Sequence, residues 1–364
     1  MFGGSGSLNY MVYHRGQPSD YDSWAEVTED DSWKWENVLP YFVKSVKTND
    51  PQILRSAAKN YYGTDGLLEV TKDNRERINN FLDSFRELGN DLVPDFNENN
   101  PLGFSAQTFT MAGRSRQSTA YAFLSSAKNR RNLHVLKNTL VTKILFDENK
   151  KAVGVEVLTE DRKTMIFKAK KEVIVSAGVM NTPKLLMLSG VGQEEHLKEK
   201  NIEVVCEGSG RDNRRFSFTG FVALNQSSNI PDYQTTAYVA APETVMFYCS
   251  FGFRFSDEVC NNAYKPNRLQ AFNEIINLNP KSRGNVLLKS VDPEDPPIIN
   301  NGFFSNEEDI ESLIDYIFDF LNVMKTTYYT KVDALMSDTT PQCNKYRKEQ
   351  ENSAFLISVI HLGN

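Results

Sequence analysis

The chain has no excess of positive charge: 41 Lys and Arg stand against 47 Asp and Glu, a net charge of −6. It therefore lacks the basic footprint of a nucleic-acid binder, and no nucleic acid is expected as a partner. No apolar run approaches the roughly 20 residues that cross a bilayer, so no membrane span is expected. Cysteine is sparse. Cys206, Cys249, Cys260 and Cys343 are widely spaced and form no CxxC pair, which argues against a structural zinc site. An even number fits two disulfides or four thiols, and the sequence leaves both open. Histidine is equally scarce. His14, His134 and His196 read as loop, strand and helix residues without a partner constellation, and His361 is the fourth. Internal repeats and low-complexity linkers are also missing.

What remains is a chain of 364 residues, 40% apolar and 24% charged, which suits a globular protein of about two domains. Its organising stretch is Lys171 to Gly192. Val173-Ile174-Val175 reads as a buried strand, and Ser176-Ala177-Gly178 as a turn. A helix follows, with Thr182 as N-cap, Pro183 in the first turn and Gly190 as the stop. A glycine turn leading onto a helix N-terminus can hold phosphate, because backbone approaches closely and unpaired N–H groups point outward. It is equally the form of an ordinary β-α connection.

Before this stretch, Leu133–Leu136, Leu140–Phe146, Ala152–Val157 and Thr164–Ala169 read as short antiparallel strands. Helices are expected where apolar residues recur from Trp33 to Val46, from Ile78 to Leu88 and from Ser118 to Ala127. After it, Phe216–Leu224, Ala237–Phe253, Phe272–Leu278 and Asn285–Lys289 suggest strands. Ser305 and Glu308 predict a capping box ahead of a long amphipathic helix. Gly3 to Ser7 is a glycine-serine loop whose backbone can wrap an anion or a planar ring, and Asn9 adds a side-chain amide. Asn225-Gln226-Ser227 is a glycosylation sequon.

Several stretches together resemble the glucose–methanol–choline (GMC) family of FAD-dependent oxidoreductases. In wording they sit nearest its insect branch of FAD, quinone-linked glucose dehydrogenases. Gly3-Gly4-Ser5 through Asn9, with Tyr13, Gly16 and Asp22, fit the family's first signature. Gly178, Thr182-Pro183, Leu185-Leu186 and Ser189 to Gly192 fit its second, with Val179 a departure where a small residue is usual. Val38 to Phe42, Gly113 to Ala120 and Asn279 to Gly284 also match. The resemblance covers nearly the whole chain.

It implies an α/β fold, α+β overall: a partial FAD/NAD(P)-binding Rossmann-like domain interleaved with an antiparallel-sheet substrate domain. Residues 1–206 would form the FAD-binding region, with part of the substrate domain inserted at about 20–105, and residues 207–364 the substrate region. The implied cofactor is FAD, contacted by Gly3, Gly4, Ser5, Asn9, Tyr10, Met11 and Val12, with Val141 at the adenine. Residues near Ala177-Gly178 would floor the cleft.

The implied reaction oxidises a CH–OH group of an alcohol or sugar. A histidine base takes the hydroxyl proton, hydride passes to the flavin, and a quinone or oxygen reoxidises it. No residue of this chain is assigned as catalytic. The GxGxxG unit expected before Gly3 and the His-Pro segment expected after His361 are not in the sequence, and Arg211 to Arg215 departs from the family's wording. A fragment lacking both ends, inactive by itself, is therefore expected. The alternative is a non-catalytic relative acting as a binding protein. Localisation is not indicated, and an extracellular home would suit paired cysteines.

Overall fold

Gln17 opens the first helix, Pro18–Thr28, through a capping box with Asp20, and proline takes the first helical position, where it has no hydrogen bond to lose. Asp50 and Ser256 likewise cap helices Pro51–Arg55 and Asp257–Ala263 in the computed structural model. It describes residues 2–73, 76–97, 102–203, 205, 218–225, 227–240, 246, 249–250, 256–264, 269–336 and 358–362. The chain divides into two units, each drawn from separate segments. One comprises Met1–Ser126, Arg215–Lys281 and Asn306–Asn364; the other comprises Ala127–Arg214 and Ser282–Ser305.

The first unit is built on a six-stranded antiparallel sheet. In spatial order its strands are Leu335–Met336, Ser358–Leu362, Leu269–Asn277, Tyr233–Ala240, Phe218–Val222 and Gly103–Ser105. Side chains alternate between faces along each strand. Tyr233, Ala237 and Ala271 therefore share one face, where they pack with Tyr316, Phe320, Phe81 and Phe85. Phe85 stacks on Phe104 with ring centroids 3.8 Å apart. Each buried aromatic of this kind contributes about 2–3 kcal/mol. Tyr233 donates from Oη to Asp319 Oδ2 at 2.6 Å, which joins the sheet to helix Glu308–Leu321. A smaller sheet sets Val46–Thr48 parallel to Leu68–Lys72, which pairs antiparallel with Thr108–Phe109. Its core is Val46, Ile53, Ala58, Tyr62 and Val70.

The second unit is a three-stranded antiparallel meander, Leu140–Phe146, Ala152–Leu158 and Thr164–Lys168, with a hairpin of Asn285–Leu287 and Ile298–Asn300. Helix Gly178–Leu188 lies against strand Leu140–Phe146. Ser189 Oγ accepts from Ile144 N at 2.8 Å, and Met187, Leu197 and Leu288 form the core.

The mixed helix-and-sheet fold with antiparallel sheets is as expected, and several local readings are corrected. Val173-Ile174-Val175 is not a strand, and Ile174 is 79% exposed. An extended segment needs a ladder partner for its backbone, and no described strand runs beside it. Leu133–Leu136 is likewise irregular and exposed, for the same reason.

The following helix starts at Gly178, not after Thr182, so Pro183 sits inside it. Gly190 does close it, at φ +87°, donating its N–H to Met187 O. No Ser305–Glu308 capping box forms; Asn306 Oδ1 receives the Glu308 N–H instead, at 3.0 Å. Cys249 and Cys260 are disulfide-bonded. Cys206, Cys343, residues 208–215 and the later part of 237–253, apart from residues 246, 249 and 250, lie outside the described residues.

Candidate functional site

Gly4–Ser7 forms a single 3-10 turn, entered through Gly3 at φ +84°. An L side chain at φ +84° is strained, and a Cβ on Gly3 would also crowd Ser7 Oγ at 2.4 Å and Ala120 Cβ at 3.2 Å. Gly4 also has positive φ, +52°, but a Cβ there would meet nothing within 4 Å. Its outer side is open. The turn is held from below. Arg116 Nη1 donates to Asn9 O at 2.7 Å, to Asn9 Oδ1 at 2.9 Å and to Gly6 O at 3.3 Å. Thr119 Oγ1 donates to Gly3 O at 3.2 Å. Asn9 Oδ1 also accepts from Met11 N at 3.0 Å, so this amide oxygen is committed to shaping the loop. Met11 stands at φ +64° while its carbonyl takes Thr110 N at 2.6 Å and Thr110 Oγ1 at 3.0 Å. Val12 bridges to Phe109, and Phe2, Leu8 and Tyr10 are exposed around the turn.

Beneath Val12 lies a buried polar cluster that the sequence reading did not single out. Arg15 is 5% exposed, and its guanidinium carbon sits 5.0 Å from the Tyr62 ring centroid, 5.4 Å from Phe42 and 5.5 Å from Tyr13. Its Nε donates to Tyr13 Oη at 3.0 Å. The two terminal nitrogens have no hydrogen bond among the described residues; the ring faces stabilise that charge. Asp95 is the counter-charge of the region. It accepts from Tyr62 Oη and Asn97 N at 2.8 Å each and from Thr108 Oγ1 at 3.2 Å. Burial raises the Tyr13 and Tyr62 hydroxyls above the ordinary tyrosine range.

His14 packs on Phe96 and Phe221, with its Nε2 3.0 Å from Gln107 Nε2. With the amide nitrogen as donor, Nε2 accepts, the arrangement of a neutral ring with its proton on Nδ1. Burial lowers its pKa to about 4, and the Asp95 charge offsets only part of the shift. His14 is thus structural, held by partners that are distant in the chain. His196 is structural too, accepting Leu288 N on Nε2 at 2.9 Å. His134 lies in the exposed irregular stretch. The backbone of His361 lies on strand Ser358–Leu362, opposite Gln270.

The six-stranded sheet turns a polar row away from its apolar core. Register aligns Ser105, Thr219, Thr236 and Glu274 across four strands, with Phe221 and Gln234 in the next row. Thr219 and Thr236 hydroxyls lie 3.3 Å apart, and Gln234 Nε2 donates to Thr219 Oγ1 at 3.2 Å. Burial raises the Glu274 carboxyl to about 7. His14 meets the same face through Phe221. No motif marks this row; strand alternation and register create it.

In the second unit, Val141 lies on the edge strand of the meander, 37% exposed, beside a bulge that leaves Thr142 unpaired. Helix Gly178–Leu188 has no side-chain cap at its N-terminus, and a Cβ on Gly178, at φ +87°, would meet nothing within 4 Å. Among the described residues no group of His, Cys, Asp and Glu could hold a metal. No described helix is long and apolar enough to cross a membrane.

The fold is a mixed helix-and-sheet architecture with several antiparallel sheets, and comparison supplies the family. Residues 1–212 match the GMC oxidoreductase family, and the chain belongs to it; the family's cofactor is FAD. The chain is 33% identical to ecdysone oxidase of Spodoptera littoralis over all of its own length and 68% of that protein. It is also 33% identical to glucose dehydrogenase [FAD, quinone] of Drosophila melanogaster, over 90% of the chain and 57% of that protein. Pyridoxine 4-oxidase from Mesorbium loti shares the fold at TM-score 0.71 and 18% identity, over 89% of this chain and 65% of that one. The chain spans 56% to 68% of the length of these and similar insect relatives.

Proposed function

We propose that the chain belongs to an oxidoreductase that holds FAD along its amino-terminal turn and oxidises a CH–OH group of an alcohol or sugar. One observation carries this reading: a glycine turn with an open outer side, fixed from beneath by Arg116. The residues present fit such a cofactor. Gly3, Gly4 and Ser5 offer backbone without side-chain bulk, and Asn9, Tyr10, Met11 and Val12 continue the same surface. Val141 on its edge strand is the proposed adenine contact, and the uncapped start of helix Gly178–Leu188 suits negative charge. FAD, when bound, supplies the hydride acceptor.

On the substrate side the chain's candidate is the half-buried Glu274, at the end of the row whose Ser105, Thr219 and Thr236 are fully buried. The buried hydroxyls support that face through bonds among themselves and to Gln234 and the Pro94 carbonyl. Glu274 is protonated below about pH 7 and can then donate as well. Relatives are named for ecdysone, glucose and choline, all of them alcohols, which supports the reaction class. Their names include both a quinone-linked dehydrogenase and oxidases, so quinone and oxygen are both acceptors to test.

The test is direct. Purified chain supplied with FAD should retain flavin absorbance near about 450 nm, and alcohols or sugars should not bleach it, because no residue of this chain is assigned as the catalytic base. Arg116→Ala should lose the flavin while keeping the far-UV signature of the fold. A folded wild-type chain that retains no flavin would overturn the FAD assignment and leave the binding-protein reading.

A further inference from the structure

We propose that Asn225 carries an N-linked glycan. Asn225-Gln226-Ser227 is the single Asn-X-Ser/Thr triplet in the chain. It falls in the connection between antiparallel strands Phe218–Val222 and Tyr233–Ala240, and both Asn225 and Ser227 are exposed. Asn225 Oδ1 accepts from Ser227 N at 3.0 Å. That contact aims the amide at its own sequon and leaves Nδ2, the atom to be modified, with no partner among the described residues. The rest of the turn is self-supported. Ser228 N donates to Asn225 O at 2.8 Å, Leu224 N to Asp232 Oδ2 at 2.8 Å and Ile230 N to Ser228 Oγ at 3.1 Å. A substituent on Nδ2 therefore displaces nothing. It would also shield Leu224 and Ile230, which are 43% and 54% exposed on either side.

A second observation, independent of the sequon, points to the same chemistry. Cys249 and Cys260 are bonded, and Cys260 is fully buried. Disulfides form in the oxidising secretory lumen, the compartment in which asparagine is glycosylated. The step is a substitution. Nδ2 of Asn225 attacks the anomeric carbon of a lipid-diphosphate-linked oligosaccharide. The new C–N bond replaces the C–O bond to the diphosphate, which leaves with the electron pair, and the amide proton passes to a base. No oxidant or reductant is needed.

The chain, fused to a secretory leader, is translated in the presence of microsomes, so neither folding yield nor export limits the readout. The protease-protected product should run heavier by one glycan, and peptide N-glycosidase should remove the difference. Ser227→Thr should keep the shift; Asn225→Gln and Ser227→Ala should each abolish it. A protected wild-type product of unglycosylated mass overturns the proposal, as does a shift that survives Asn225→Gln.

Discussion

At the scale of single residues, two buried ionisable groups pull stability in opposite directions with pH. His14 titrates near 4 in the folded chain against 6.5 when free. Between those values the unfolded chain takes up a proton that the folded chain refuses. The stability His14 provides is complete above pH 6.5 and lost as pH falls toward 4, by about 1–3 kcal/mol. Glu274 is raised from 4.5 to about 7. The folded chain keeps a proton that the unfolded chain releases, so stability falls as pH rises from 4.5 to 7, again by about 1–3 kcal/mol. In the shared window the slopes oppose each other. His14→Gln should therefore lose stability more steeply than wild type as pH rises through that window. Glu274→Gln should lose it more steeply as pH falls. Urea unfolding of the three proteins between pH 4 and 8 tests both signs. Neither shift is visible in the sequence: Phe96, Phe221 and Gln107, which pack on His14, are distant from it in the chain.

At the scale of elements, local chemistry was a good guide to turns and helix stops but not to helix starts, where neither the Thr182 cap nor the Ser305–Glu308 box formed. Helix Arg77–Glu87 stops before Gly89 at φ +88°, and the meander strands turn where Asp147 to Lys150 and Glu160-Asp161 predict. It failed where an element needed a distant partner. Val173-Ile174-Val175 has the composition of a buried strand, yet Ile174 is 79% exposed because no described strand pairs with it. An exposed β-prone run of this kind is an aggregation hazard. Ile174→Lys should leave thermal stability within about 0.5 kcal/mol of wild type, as expected for an exposed site. It should also lower light scattering during incubation at raised concentration; unchanged scattering would exonerate the segment.

At the scale of the whole molecule, the described disulfide closes a short loop, with the cysteines 11 positions apart in sequence. Closing a loop of that size stabilises a chain by about 2–3 kcal/mol. Cys260→Ser should lower the midpoint of unfolding accordingly, and Cys249→Ser should lower it by the same amount. The family was legible in sequence because its signatures are local. Gly3 to Asn9 and Gly178 to Gly192 keep residue types that the backbone itself demands, such as Gly3 in left-handed conformation against Ser7. What lies behind those signatures was not legible, because Arg116 reaches the turn from more than a hundred positions away, and Arg15 meets Tyr62 across the fold.

The sequence by itself determined the FAD-oxidoreductase family, the helix stops, the meander and the sequon, all of which rest on interactions within a few residues. Only the tertiary structure decided which cysteines pair, which histidine is held neutral, and that Ser105, Thr219, Thr236 and Glu274 share one face. Those depend on strand register and burial, which are set by contacts between segments far apart in the chain.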